Sequence, residues 1–204
     1  MKNIIFDFDG VIGNTIPLFA NYHKYKNPHL TDEQVAQDMI NYFLEPAHSH
    51  QINPSADKLL KVSQWLSDFI LFAEKENALP VPLFYDFINI VVKLNIPNKA
   101  IVSSGSIDYI LPAISTSSLN PSHILGFEDH HSKEEKIKII CKDWGISTKE
   151  IIYFTDTIAD ILEVRDMVKT VIGCTWGAHS YDLLSTVLPK NQILKSFDDI
   201  YKLA

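Results

Sequence analysis

The sequence predicts an α/β fold: a doubly wound parallel sheet with a small, all-helical module inserted near its start. Three observations predict it. An apolar strand, Asn3-Ile4-Ile5-Phe6, opens the chain and runs directly into two carboxylates. From Thr15 to about Leu79 every periodic signal is helical. After Leu79-Pro80-Val81-Pro82, short apolar runs alternate with helical patterns, which is how a parallel sheet wrapped by helices reads in sequence. With 204 residues and 46% hydrophobic content the chain can bury a sizeable core, as one domain or one domain plus an insertion.

The elements follow in order. Side chains alternate along a strand, so Asp7 and Asp9 leave the first strand on the same side, and Gly10 follows them. Two such acids repel unless a cation or a proton separates their roles, which suits metal and phosphate chemistry. In the helical stretch, Thr31 with Gln34 forms a capping box ahead of Val35, Met39 and Tyr42. A second stripe carries Leu59, Val62, Leu66, Phe69, Ile70 and Ala73 on one face. The aromatic set Trp65, Phe69 and Phe72 reads as core. Beyond the module, further strands are expected at Lys99–Ser103, His123–Phe127, Ile151–Thr155 and Thr170–Cys174, five in all with the first. The intervening helices are marked by Phe84, Phe87, Ile88 and Val91; by Ser132 with Glu135 as a capping box before Ile137, Ile140 and Trp144; and by Ile158, Ile161 and Leu162.

Charge and cysteine content narrow the function classes. Eighteen basic against 25 acidic residues give a formal charge of −7, so no general field attracts nucleic acid or an anionic membrane. A phosphate ligand would need local neutralisation. Cys141 and Cys174 sit in apolar contexts without metal-type spacing and read as reduced packing residues. The first apolar run is short and carries Asp7 and Asp9, unlike a signal peptide, and no run reaches membrane-spanning length, so a cytoplasmic setting is expected.

Parallel sheets bind ligands beyond the carboxyl ends of their strands. Four of the five expected ends carry related chemistry: Asp7 and Asp9; Ser103-Ser104-Gly105-Ser106; a loop through Asp129, His130, His131 and Ser132 to Lys133; and Asp156 with Asp160. Together they supply a nucleophile, a cation site and donors for phosphate oxygens.

On these residues the chain resembles the haloacid dehalogenase (HAD) superfamily. Asp7-Phe8-Asp9-Gly10-Val11 matches its first motif, Ser103 after Ala100-Ile101-Val102 the second, Lys133 the third, and Asp156 with Asp160 the fourth, in the family's order over nearly the whole chain. The resemblance implies a Rossmann-like core of residues 1–14 and 80–204 with an α-helical cap of residues 15–79. It implies a nucleophilic Asp7 that forms an aspartyl phosphate, with Asp9 as general acid and then base. Ser103 and the N–H groups of Ser104 and Gly105 would bind the phosphate, and Lys133 would offset its charge. Lys133 is preferred to Lys136 because it lies twelve positions before Gly145, a spacing similar to the family's.

Mg²⁺ would be held by the Asp7 carboxylate, the Asp9 carbonyl and Asp156, with Asp160 reaching a metal-bound water or Lys133. Asp9 favours a phosphatase or phosphomutase over a dehalogenase. The implied partner is a small phosphorylated metabolite, the assembly a monomer or homodimer, and the alternatives are a sugar phosphomutase or a non-catalytic, metal-binding regulatory member. Thr155, where the family commonly has Gly, Asn14, where it often has an acid, and the lack of a proline after Lys133 are departures. Substrate choice would sit in the cap, among groups such as Asn21, Tyr22, His23, Lys24 or Lys26, with movement near Gly13-Asn14 and Leu79–Pro82. His48, His50, His130 and His131 read as loop residues.

Overall fold

The computed structural model describes residues 1–44 and 53–203. Its centre is a six-stranded, wholly parallel sheet in the order β3-β2-β1-β4-β5-β6. The strands are β1 (Asn3–Phe6), β2 (Asn98–Val102), β3 (His123–Leu125), β4 (Ile152–Thr155), β5 (Thr170–Cys174) and β6 (Ile193–Leu194). All four residues of β1 are buried, because the strand lies between two neighbours with both faces covered. Ile4 and Phe6 face one hydrophobic cluster and Ile5 the other, so the alternation divides the core into two layers.

The five expected strands are all present. The sixth, β6, is two residues long at the sheet edge and carries too little apolar periodicity to be read in advance.

Three helices, α1 (Ile16–Lys26), α2 (Asp32–Tyr42) and α3 (Ala56–Lys75), lie between β1 and α4 (Tyr85–Lys93). The Thr31–Gln34 capping box forms, with Thr31 N–H donating to Gln34 Oε1 (2.8 Å) and Gln34 N–H to Thr31 Oγ1 (3.3 Å). On α3 the inward stripe buries Leu66, Phe69, Phe72 and Ala73. Where the chain enters and leaves this module its two segments run side by side: Asn14 N–H donates to Pro82 O (2.8 Å), Phe84 N–H donates to Ile12 O (2.9 Å), and Gly13 bridges Leu83.

The remaining helices, α5 (Ile107–Ser115), α6 (Lys133–Trp144), α7 (Ile158–Val164) and α8 (Tyr181–Leu184), alternate with the strands. One face of the sheet packs α6 and α7 through Ile137, Ile140 and Ile161; the other packs α4 and α5 through Phe87, Val91 and Ile110. Both cysteines are free and buried, as expected. Among the described residues no helix is long and apolar enough to cross a membrane.

Candidate active site

The loop after β1 orients both acids. Asp7 N–H still donates to Phe154 O (2.8 Å), extending the strand by one residue, while the Phe8 side chain is buried in the core. The chain then doubles back, and Phe8 O accepts from the N–H groups of Ile12 (2.9 Å) and Gly13 (2.8 Å). Gly10 has φ +72°, a conformation that disfavours side chains, and a Cβ there would lie 2.0 Å from Asp156 Oδ2. With Phe8 turned inward, Asp7 and Asp9 both line the same cavity.

Lys133 opens α6. Its Nζ lies 2.7 Å from Asp7 Oδ2 and 2.5 Å from Asp160 Oδ2, and its side chain is 2% exposed. Asp160 is held in turn by Thr155 Oγ1, which donates to Oδ2 at 2.7 Å. Burial alone would raise Asp160, but the Lys133 ammonium and these donors bring it down to about 2. Lys133 stays charged: burial opposes this, but Asp160 and Asp7 lift its pKa well above the ordinary lysine value. Lys136 turns elsewhere, donating to Ser103 O and to Gly126 O (3.1 Å).

The Ser132 cap departs from expectation. Ser132 Oγ accepts from Glu135 N–H (3.4 Å), but the Glu135 carboxylate accepts from Lys138 instead of reaching back. The second acid at this helix start is Glu163, whose Oε1 accepts from Ser132 Oγ (3.0 Å) and Lys133 N–H (2.8 Å). Glu163 lies three residues beyond Asp160 on α7, so one helical face fixes both ends of Lys133. That i,i+3 acid pair was the available sequence signal.

Asp9 Oδ2 accepts from Tyr109 OH (2.8 Å) and Ser103 Oγ (3.2 Å). Burial raises the Asp9 pKa, and these hydroxyls oppose the rise. Ser103 Oγ also accepts Gly105 N–H (2.9 Å), so Ser103 and Gly105, both expected to face a phosphate, are bonded to each other here. Ser104 and Gly105 line the cavity ahead of the Ser106 cap of α5. Tyr109 carried no sequence signal, because a tyrosine in an apolar helix reads as packing.

Asp156, at the end of β4, accepts Ala178 N–H at Oδ2 (2.7 Å) and is packed between two glycines. A Cβ on Gly177 would lie 2.2 Å from that same oxygen. Its Oδ1 is buried without a hydrogen-bond partner among the described residues. Burial, with Asp160 nearby, pushes Asp156 up to about 7. Burial also raises Asp7 well above the carboxylate range; Lys133 opposes this, while Asp160 and Asp156 add to it.

Asp7, Asp156, Asp160 and the half-buried Asp9 thus meet around Lys133, four carboxyl groups to one ammonium. An all-oxygen donor set containing an orphaned carboxylate oxygen fits a hard divalent cation. No three acidic, histidine or cysteine side chains among the described residues form a metal cluster by themselves, so a main-chain carbonyl would have to contribute.

A cavity of about 630 Å³ opens from these acids toward α1, α2 and α3. Of the module groups singled out in sequence, His23 lines it. Tyr22 is buried among Trp65, Phe69 and Phe72, Lys24 pairs with Asp32, Lys26 pairs with Asp68, and Asn21 is exposed. Phe69 and Phe72 are core as expected, whereas Trp65 retains 39% exposure and lines the cavity. His130 and His131 stand in the loop before α6, with His130 Nδ1 accepting Ser132 N–H (3.0 Å). His48 and His50 lie outside the described residues.

Fold and site together define a doubly wound α/β protein with a carboxylate-centred site at its strand ends and an inserted helical module above it. Residues 4–173 match the haloacid dehalogenase-like hydrolase family, and the chain belongs to it. Among solved structures it is similar to a predicted phosphoglycolate phosphatase from Haemophilus somnus 129PT (16% identity, TM-score 0.67, covering 100% of this chain and 97% of that one). It is similar also to a haloacid dehalogenase-like family protein from Streptococcus pneumoniae (15%, 0.74, 100% and 98%). An L-2-haloacid dehalogenase matches as well (14%, 0.62, 100% and 100%). At these identities the likeness carries the fold, and the chemistry rests on the residues. No curated protein sequence matches the chain.

Proposed function

We propose that this chain is a Mg²⁺-dependent phosphatase that hydrolyses a small phosphate monoester through an aspartyl phosphate on Asp7. The observation that carries the reading is the Lys133 ammonium held between Asp7 and Asp160, with Asp9 on the same cavity wall. Asp7 attacks phosphorus and the bond to the ester oxygen breaks. Asp9, protonated, gives its proton to the leaving oxygen, then as a carboxylate takes one from the attacking water, which releases phosphate and restores Asp7. Lys133 offsets charge on the phosphoryl oxygens, and Ser103, Ser104 and Gly105 border the same space.

Asp7, the Asp9 carbonyl and Asp156 would hold Mg²⁺, which supplies charge neutralisation and orients the phosphate. Asp160 serves here as the partner that aims Lys133, reaching the metal only through it. Residues 15–79 act as the cap over a core of residues 1–14 and 80–204. The two free, buried cysteines suit a reducing, cytoplasmic setting.

Asp7→Asn should bring hydrolysis of p-nitrophenyl phosphate to background while circular dichroism and melting temperature stay near wild type. An unchanged rate in a folded variant overturns the assignment.

A further inference from the structure

Resting on that phosphatase reading, we infer that the alcohol released is uncharged and bears a ring, most simply an aryl-alkyl alcohol, and not a short carboxylate-bearing one. The cavity has far more room than a phosphate with a two-carbon alcohol needs. Away from the acids its wall is mostly apolar, contributed by Ile16 and Phe19 of α1, Met39 of α2, and Val62, Trp65 and Leu66 of α3.

Trp65 is the distinctive member. Its indole is stacked on Phe69 (interplanar angle 4°, centroids 5.6 Å apart) and braced by Phe19 (5.7 Å) and Tyr22 (5.2 Å). A ring fixed by three aromatic neighbours yet 39% exposed where it lines a cavity is a preorganised surface for another flat, apolar group.

The charges on the same wall argue against an acidic alcohol. Among the described residues, His23 there faces Asp38 (3.2 Å), Lys61 faces Asp57 (2.7 Å), and Lys133 faces Asp7 and Asp160. A second anionic group would enter a space already holding Asp38 and the catalytic acids, where His23, Lys61 and Lys133 each already face an acid.

The test compares benzyl phosphate, ethyl phosphate and 2-phosphoglycolate with Mg²⁺ present. The expected order in kcat/KM is benzyl, ethyl, then phosphoglycolate, with benzyl at least about tenfold above ethyl. Trp65→Ala should lower that ratio several-fold, mainly through KM for benzyl phosphate, and Trp65→Phe, which keeps a ring, should restore most of it. Benzylphosphonate should quench indole emission in wild type but not in Trp65→Phe. Equal rates for benzyl and ethyl esters, preference for phosphoglycolate, or an unchanged ratio in Trp65→Ala overturns the inference and leaves the phosphatase reading standing. No turnover of any of the three overturns the phosphatase reading itself.

Discussion

Glu163 makes no contact with the proposed nucleophile, yet Lys133 depends on it. Its carboxylate accepts from Ser132 Oγ and Lys133 N–H at the start of α6, so the first turn of that helix cannot shift without breaking buried hydrogen bonds. Glu163→Ala should destabilise the fold by about 1–3 kcal/mol, whereas Glu163→Gln, which keeps an acceptor oxygen, should cost about half of that or less; urea denaturation of the two variants checks it. Lys136 gives a second prediction. Burial, with Lys133 nearby, lowers its pKa to about 7, against weaker upward pulls from Glu163, Asp7 and Asp129. Between that value and the ordinary lysine value the unfolded chain binds the extra proton, so this lysine's contribution to stability rises with pH. The difference in unfolding free energy between wild type and Lys136→Met should therefore grow from pH 7 to pH 9, by at most about 1.4 kcal/mol per unit. A flat difference would mean that Lys136 titrates normally. Asp7 and Asp9 were legible in the sequence because they stand two apart in the chain, and the loop after β1 keeps the strand's alternation far enough to bury Phe8 between them. The Lys133–Asp160 contact is legible only as a spacing, and the Glu163 cap only as an unremarked acid on the face of Asp160.

At the scale of elements, the long periodic segments and strongly apolar runs read correctly. What escaped was short or borrowed its stability from neighbours: β6, with two residues, and α8, with four. Helix α5 was legible only as a helix start after Ser104-Gly105, since its body, Ile107-Asp108-Tyr109-Ile110-Leu111-Pro112, mixes an apolar run with an internal proline. That helix joins the two parts of the molecule. Tyr109 packs its ring edge-on to Phe69 of α3 (5.6 Å) and against Phe8 (5.9 Å), and places its hydroxyl on Asp9. Donation from Tyr109 favours the ionised form of Asp9, so Tyr109→Phe should raise the pKa at which the proposed general acid is lost. The alkaline limb of the kcat/KM profile should move to higher pH while the ring contacts with Phe69 and Phe8 remain. An unmoved limb would show that the hydroxyl is only structural. His179 makes a second connection: its Nδ1 accepts Ile158 N–H (3.0 Å) and its Nε2 faces Ile40 O of α2 (3.2 Å). His179→Ala should lower the melting temperature and speed hydrogen exchange of the α2 amides.

For the whole molecule, the gathering of carboxyl groups at the sheet end is an unfavourable arrangement that a bound divalent cation would relieve. Mg²⁺ at a hundredfold its dissociation constant should stabilise the protein by about 2.7 kcal/mol, which for a chain of this size is a rise in melting temperature of roughly 5–10 °C. Asp156→Asn should remove most of that rise, and calcium-free thermal scans with and without EDTA would measure it. The acid-rich site also accounts for how a chain of net charge −7 could accept a phosphate: neutralisation would come from Lys133 and the cation, not from the surface field. Because Gly13 bridges Leu83 and Asn14 donates to Pro82, the helical module departs from and rejoins the sheet protein at a single hydrogen-bonded root. A graft made there would begin and finish at adjacent backbone positions. Exchange of that cassette between relatives would thus redirect the choice of alcohol without moving either aspartate of the opening loop.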